Sequence, residues 1–95
     1  MPEEEQGDDN IVYVGSKPAM SYVLAVVTQF SEGQEEVHVK ARGKAISRAV
    51  DVAEMVRKKF VEDAEIDDIF IDTDQIETDE GEELDVSSIQ IDLSK

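Results

Sequence analysis

Val37-His38-Val39-Lys40-Ala41-Arg42-Gly43-Lys44-Ala45-Ile46-Ser47-Arg48-Ala49-Val50-Asp51 is the stretch on which the fold of this chain turns. Val37, Val39 and Ala41 alternate with His38, Lys40 and Arg42, and a period of two belongs to a strand with one buried face and a basic outer face. At Gly43 the period changes. Ile46, Ala49, Val50, Ala53, Val56 and Phe60 recur at steps of three and four, which predicts a helix from Ala45 to Phe60. Arg57-Lys58-Lys59 falls in its last turn, where cations favour the helix dipole.

Upstream, Ile11-Val12-Tyr13-Val14 is an apolar, β-branched run that reads as a buried strand ending at Gly15. Ser16-Lys17-Pro18 opens a helix, with Pro18 near the first turn where its missing N–H costs nothing; Ser21 is an alternative cap. From Ala19 to Phe30 the apolar residues are dense enough for packing on more than one side, and Ser31-Glu32-Gly33 ends the helix. Downstream, Glu62-Asp63-Ala64-Glu65 links to a third strand whose apolar content is Ile66, Ile69, Phe70 and Ile71, continuing toward Thr78. Asp79-Glu80-Gly81-Glu82-Glu83 is a turn. Val86 to Leu93 is the last strand, with Ile89, Ile91 and Leu93 on one side and Ser88, Gln90 and Asp92 on the other. The order β-α-β-α-β-β predicts a two-layer α/β sandwich, a mixed four-stranded sheet with both helices on one face. Residues 1–9 show no apolar periodicity and read as a disordered acidic tail before a single domain, 10–95.

Ninety-five residues bury only a modest core, so a partner subunit is expected to help. Cysteine is absent, which removes disulfides and thiolate metal sites. The longest apolar stretch, Tyr22 to Val27, is too short to span a bilayer, and the acidic start is no secretory signal, so a cytoplasmic protein is expected. The net charge of −15 argues against nucleic acid until its distribution is considered. Residues 11–60 hold eight of the nine Lys and Arg against five acids, whereas residues 61–95 hold fourteen acids against Lys95. The middle of an acidic protein is basic.

An enzyme is the reading these residues disfavour most. The sole histidine, His38, lies on the polar side of a strand and reads as a solvated residue; there is no nucleophile elbow, Walker loop or dinucleotide fingerprint. Asp72 and Asp74 share one side of a strand but lack the spacing of a calcium loop, so neither a metal nor a cofactor is expected. The basic residues are more informative. In a parallel β-α-β unit both strand-to-helix junctions emerge at the same sheet edge. Lys17, Lys40, Arg42, Lys44 and Arg48 therefore converge on one end of the domain, beside two helix N-termini whose N–H groups suit phosphates. Taken alone, the cluster is equally consistent with ordinary solubilising cations.

Three segments carry a family resemblance. Gly15-Ser16-Lys17-Pro18-Ala19-Met20-Ser21-Tyr22-Val23-Leu24-Ala25, the central block Val39 to Asp51, and Val86-Ser87-Ser88-Ile89-Gln90-Ile91 resemble the signature loop, the K-A-R-G helix start and the terminal strand of the Alba family of archaeal chromatin proteins. The resemblance spans Asn10 to about Leu93. It implies a fold like the C-terminal domain of translation initiation factor three, and a homodimer that binds double-stranded DNA, and often RNA, with little sequence preference. It implies backbone contacts by Lys17, Lys40, Arg42, Gly43 and Lys44 with Arg48 alongside, and a β3–β4 hairpin that reaches along the minor groove. It also implies an aromatic near the end of the second helix, here Phe60, that joins dimers side by side on DNA; as a bare residue, Phe60 could equally close the core. Chromosome association, DNA compaction or gene regulation follow from the same resemblance.

Two departures stand out. The family's first loop lysine, an acetylation site in some members, is Ser16 here, which leaves Lys17 as the loop's candidate for that modification. Asp74, Glu77, Asp79, Glu80, Glu82, Glu83 and Asp85 fill a hairpin that relatives keep neutral or basic, and carboxylates are repelled by a groove lined with phosphates. The arm is expected to bend away, fold differently or meet another partner. The acid-rich surface resembles that of a halophile or salt-tolerant methanogen, in which concentrated salt screens self-repulsion. Two other functions compete with chromatin binding: an RNA-focused ribonucleoprotein component, and an acidic protein adaptor whose nucleic-acid face has decayed.

Overall fold

The structure, a computed structural model, describes residues 10–95; the acidic stretch 1–9, expected to be disordered, lies outside the described residues. In chain order the elements are β1 (Ile11–Tyr13), α1 (Ala19–Ser31), β2 (Glu36–Arg42), α2 (Ile46–Met55), β3 (Glu65–Glu77) and β4 (Glu83–Ser94). The strands form one mixed sheet in the order β1-β2-β4-β3, with β1 parallel to β2 and the other pairs antiparallel. This is the expected β-α-β-α-β-β sandwich.

β2 alternates as its sequence requires: Val37, Val39 and Ala41 are buried, and His38, Lys40 and Arg42 lie on the other face. Residues paired across neighbouring strands share a face. Register therefore aligns Val12, Val39, Ile91 and Ile69 on the helix side, and Tyr13, Lys40, Gln90 and Phe70 on the open side. The core is valine-rich, built from Val12, Val14, Val23, Val26, Val37, Val39, Val52 and Val56 with Phe30, Ile91 and Leu93.

Four sequence expectations change. β1 is an edge strand rather than a fully buried one: Val12 and Val14 are buried, whereas Tyr13 is 60% exposed. α1 begins at Ala19 with Pro18 as the residue before the first helical position, and it buries a single face through Val23, Val26, Gln29 and Phe30. Met20 and Leu24 stay exposed, because none of the described residues packs on that side. In α2 the buried residue is Val52, not Val50; Ala49, Val52, Ala53 and Val56 form the packed stripe, and Val50 sits on its flank. The helix also widens into a π-turn over Val56–Phe60, where the Val61 N–H donates to Val56 O at 2.7 Å.

β3 departs furthest. Ile66 pairs with Leu93, but the next pair is Asp68 with Asp92, so Asp67 is an extra residue in a bulge. The bulge rephases the strand and puts Ile69 and Ile71 on the helix side, opposite Ile91 and Ile89. They are nevertheless 53% and 79% exposed, because β3 is the sheet's outer strand and the helices stop short of it. Beyond Ser88, β4 has lost β2 as a neighbour, so residues 73–87 continue as a two-stranded ribbon from Thr73–Ser87 to Glu77–Glu83. The ribbon stays paired out to Glu77–Glu83. It lengthens the molecule to 44 × 27 × 21 Å.

Candidate nucleic-acid interface

The parallel pairing of β1 and β2 carries both strands' C-terminal ends to one edge, where the Val14 N–H donates to Lys40 O at 2.8 Å. The chain leaves β1 through Gly15 and β2 through Gly43. Gly43 holds φ +58, a left-handed conformation that a side chain disfavours, and this lets Arg42 end a strand while Lys44 begins a helical turn. A single 3-10 turn, Gly43–Ala45, feeds α2. Among the described residues neither α1 nor the 3-10 turn that opens α2 has a side-chain cap. The Ser21 N–H donates to Pro18 O at 3.0 Å and the Ile46 N–H donates to Gly43 O, so the N–H groups ahead of these two are the ones left for an outside acceptor.

The predicted site residues separate into distinct roles. Lys40 projects from the open face with its Nζ 5.8 Å from the centre of the Tyr13 ring. Arg42 is 60% exposed, and its Nη1 lies 3.9 Å from Asp74 Oδ2. Lys17 and Lys44 are exposed, and their ammonium groups have no ion-pair or hydrogen-bond partner among the described residues. The Lys17 backbone N–H donates to the Tyr22 hydroxyl at 3.0 Å, which fixes the first loop against its helix.

Arg48 behaves differently. Its Nη1 donates to Gly15 O at 2.6 Å, so the guanidinium ties the first turns of α2 to the β1–α1 loop. The geometry makes Arg48 a strut between the two loops that carry Lys17 and Lys44. Phe60 is 45% exposed at the far end of the helix, so it does not close the core; fourteen residues of helix put it about 20 Å from the basic turn. It borders a shallow cleft with Val27, Phe30 and Val61.

Sequence reasoning missed two features of the open face. His38 is not simply solvated: Asp92, only 8% exposed, lies 2.6 Å from its Nδ1, and Glu36 is 3.6 Å from its Nε2. The signal was the polar position of Asp92 in an otherwise apolar strand end. The second feature is a cleft of about 590 Å³ lined by Tyr13, Lys40, Arg42, Phe70, Asp72, Asp74, Ser88 and Gln90. Only strand register, which the sequence leaves open, brings β1 and β3 residues into one row. Asp72 and Asp74 share this face as expected, with Asp74 directed at Arg42. Among the described residues no group of three or more His, Asp or Glu side chains is placed to hold a metal ion. Among the described residues no helix is long and apolar enough to cross a membrane.

The ribbon's acids are sorted by side. Glu77, Glu83 and Asp85 fall on the helix side, and Asp79, Glu80 and Glu82 crowd the tip. Its open face carries Ile76, Leu84 and Val86, with Asp74 the one carboxylate beyond its base. Gly81, at φ +87, makes the tip turn, in which the Thr78 hydroxyl accepts from the N–H groups of Glu80 and Glu82.

Residues 10–73 match the Alba family model. The DNA/RNA-binding protein Alba of Methanocella arvoryzae is 57% identical over 88 residues, which is 93% of this chain and 92% of that protein. DNA/RNA-binding protein Alba 1 of Archaeoglobus fulgidus is 58% identical over 87 residues, 92% and 97% of the two chains. Among solved structures, Alba from Thermoplasma volcanium matches with a TM-score of 0.85 at 52% identity, over 90% of this chain and 99% of that one. ALBA1 from Trypanosoma brucei matches at 0.74 and 26% identity, over 90% and 68%. With the family model covering most of the domain and full-length relatives above half identity, this chain belongs to the Alba family.

Proposed function

We propose that this protein binds double-stranded DNA, and RNA, through the sugar-phosphate backbone, as a non-enzymatic component of archaeal chromatin. The observation that carries this reading is the convergence of Lys17, Lys40, Arg42 and Lys44 with two uncapped helix N-termini at one sheet edge. Relatives above half identity are named for DNA and RNA binding, which supports the same reading. Side chains that meet phosphates without reading base edges give affinity with little sequence preference. Arg48 supports the surface from behind. Lys17, exposed at the loop, is the position through which acetylation would remove one of those cations.

The protein acts as a homodimer in this reading. Arg48 faces the β1–α1 loop, and Val50 lies about 200° further round α2, on the flank toward β3. Val50, Ile69 and Ile71 are each exposed apolar residues on that side, the kind of surface a second copy covers. Phe60, exposed at the other end of α2, contacts a neighbouring dimer on the same DNA. The ribbon lies along the nucleic acid on its Ile76–Leu84–Val86 face with Glu77, Glu83 and Asp85 turned away, and its acidic tip stays outside the groove. Chromosome association in the cell follows.

The test is anisotropy binding to labelled DNA duplexes of unrelated sequence, comparing wild type with an Arg42→Ala/Lys44→Ala variant. The expected result is similar affinity for every duplex and a loss of at least tenfold in the variant. Equal binding by wild type and variant would remove the basic turn from the interface.

A further inference from the structure

We infer that the open face of the sheet is a second nucleic-acid surface, one that takes the unpaired bases of a single RNA strand. The inference deepens the proposed function and rests on it. Register places Tyr13 of β1, Lys40 of β2, Gln90 of β4 and Phe70 of β3 in one row across the sheet. The two rings are 60% and 52% exposed, at opposite ends of the row. Three strand spacings separate them by about 14 Å, too far for one base to touch both, so they hold two bases of one strand. Aromatic rings exposed on a sheet form a general means of holding single strands, because every base has a π-face; at Tyr13 the Lys40 ammonium, 5.8 Å from the ring centre, gives way to the base.

The cleft between the rings is electrically divided. Lys40 and Arg42 lie on the β2 side, and Lys40, displaced from the Tyr13 ring, meets the phosphate beside a stacked base. Asp72 and Asp74 lie on the β3 side of the same cleft. A duplex presents its phosphates outward in every direction, so Asp72 and Asp74 keep it out of the cleft and it meets only the ribbon beyond them. A single strand can turn its backbone to the cations and its bases to the acids. The carboxylates then accept from the exocyclic amino groups of cytosine, adenine or guanine. Gln90 floors the cleft and is held in place by Nε2–H donation to Asp92 at 2.9 Å. Because Lys40 and Arg42 also belong to the basic end, a strand leaving a duplex passes from one surface to the other without a break.

The test uses the full chain with an unstructured twelve-nucleotide RNA of mixed sequence and, separately, a DNA duplex. Tyr13→Ala and Phe70→Ala each remove an exposed ring that the duplex surface does not use, and Tyr13→Phe keeps the ring. Each alanine variant is expected to lose about 5- to 100-fold in RNA affinity. Duplex affinity should stay within about twofold, and Tyr13→Phe should bind RNA as wild type does. The chain has no Trp and two Tyr, so stacking on Tyr13 should also quench tyrosine emission when RNA is added, and less so in Tyr13→Ala. Equal RNA affinity in wild type and both alanine variants overturns the inference, as does an equal loss on RNA and duplex. Wild type that binds duplex but not RNA overturns this inference alone, whereas wild type that binds neither overturns the DNA and RNA reading with it.

Discussion

Arg48→Ala separates a strut from a phosphate ligand. The bond it removes is a charged donor 2.6 Å from the Gly15 carbonyl, in a part-buried setting. Hydrogen bonds to charged groups contribute about 1.5–3 kcal/mol. Partial exposure of the guanidinium discounts this, and alanine's slightly better helix propensity offsets a few tenths more, leaving a net cost of about 1–2 kcal/mol. In a domain of this size that lowers Tm by roughly 5–15 °C. The assay is thermal unfolding followed by circular dichroism at matched protein concentration, run with Lys44→Ala as the exposed control. Arg48→Ala should melt early while keeping the salt dependence of duplex binding. Lys44→Ala should melt with wild type and lose about one unit of salt slope per cation that met a phosphate. The reasoning fails if Arg48→Ala melts with wild type and its salt slope falls, for then Arg48 touches phosphate directly.

Three further perturbations follow from contacts in the structure. Asp74→Asn removes the carboxylate 3.9 Å from Arg42 and should tighten duplex binding by about two- to fivefold per subunit, the range of an exposed ion pair; unchanged affinity would mean Arg42 is not engaged. Ile71→Glu puts a charge on that exposed apolar side and should convert a dimer to monomers in sedimentation without unfolding the chain; an unchanged mass would place the dimer contact elsewhere. Glu54 receives Arg57 Nε–H at 2.7 Å and lies 3.3 Å from Lys58 Nζ, and these partners, Arg57 first, hold its carboxyl below the ordinary 4.5. A lowered carboxyl stabilises the fold above its unfolded value and loses that contribution as pH falls through the folded one. The Tm gap between wild type and Glu54→Gln should therefore be open at pH 7 and close below pH 4.5, and a gap that widens in acid would contradict the pairing.

The legible parts of the fold were those governed by local period. The alternation of Val37, Val39 and Ala41, the break at Gly43 and the three-four spacing from Ile46 to Val56 each map onto a real element, because burial on one face imposes its period on the chain. What escaped depends on neighbours distant in sequence. Val52 displaced Val50 because the direction of the packed stripe is set by where α1 and the sheet lie. Ile66 and Ile69 are three apart, which hints at the bulge, yet only pairing with Leu93 and Ile91 locates it at Asp67. Likewise the position of Arg48 beside Lys44 suggested another phosphate contact, and the Gly15 carbonyl that occupies it lies thirty-three residues away. The basic end was legible because parallel strands must release their chains at one edge. The open-face row of Tyr13, Lys40, Gln90 and Phe70 was not, since it draws on all four strands.

The central claim is that an acidic protein grips duplex DNA by a basic end, and its most direct test is the salt dependence of that grip. Anisotropy would be followed for wild type on a labelled duplex from 0.1 to about 2 M KCl. With about six phosphates neutralised per dimer, log K should fall by roughly five for each tenfold rise in salt. The Arg42→Ala/Lys44→Ala variant, which removes four cations from a dimer, should show a slope shallower by about three to four. A wild-type affinity that does not change with salt, or a slope the variant shares, would contradict the account.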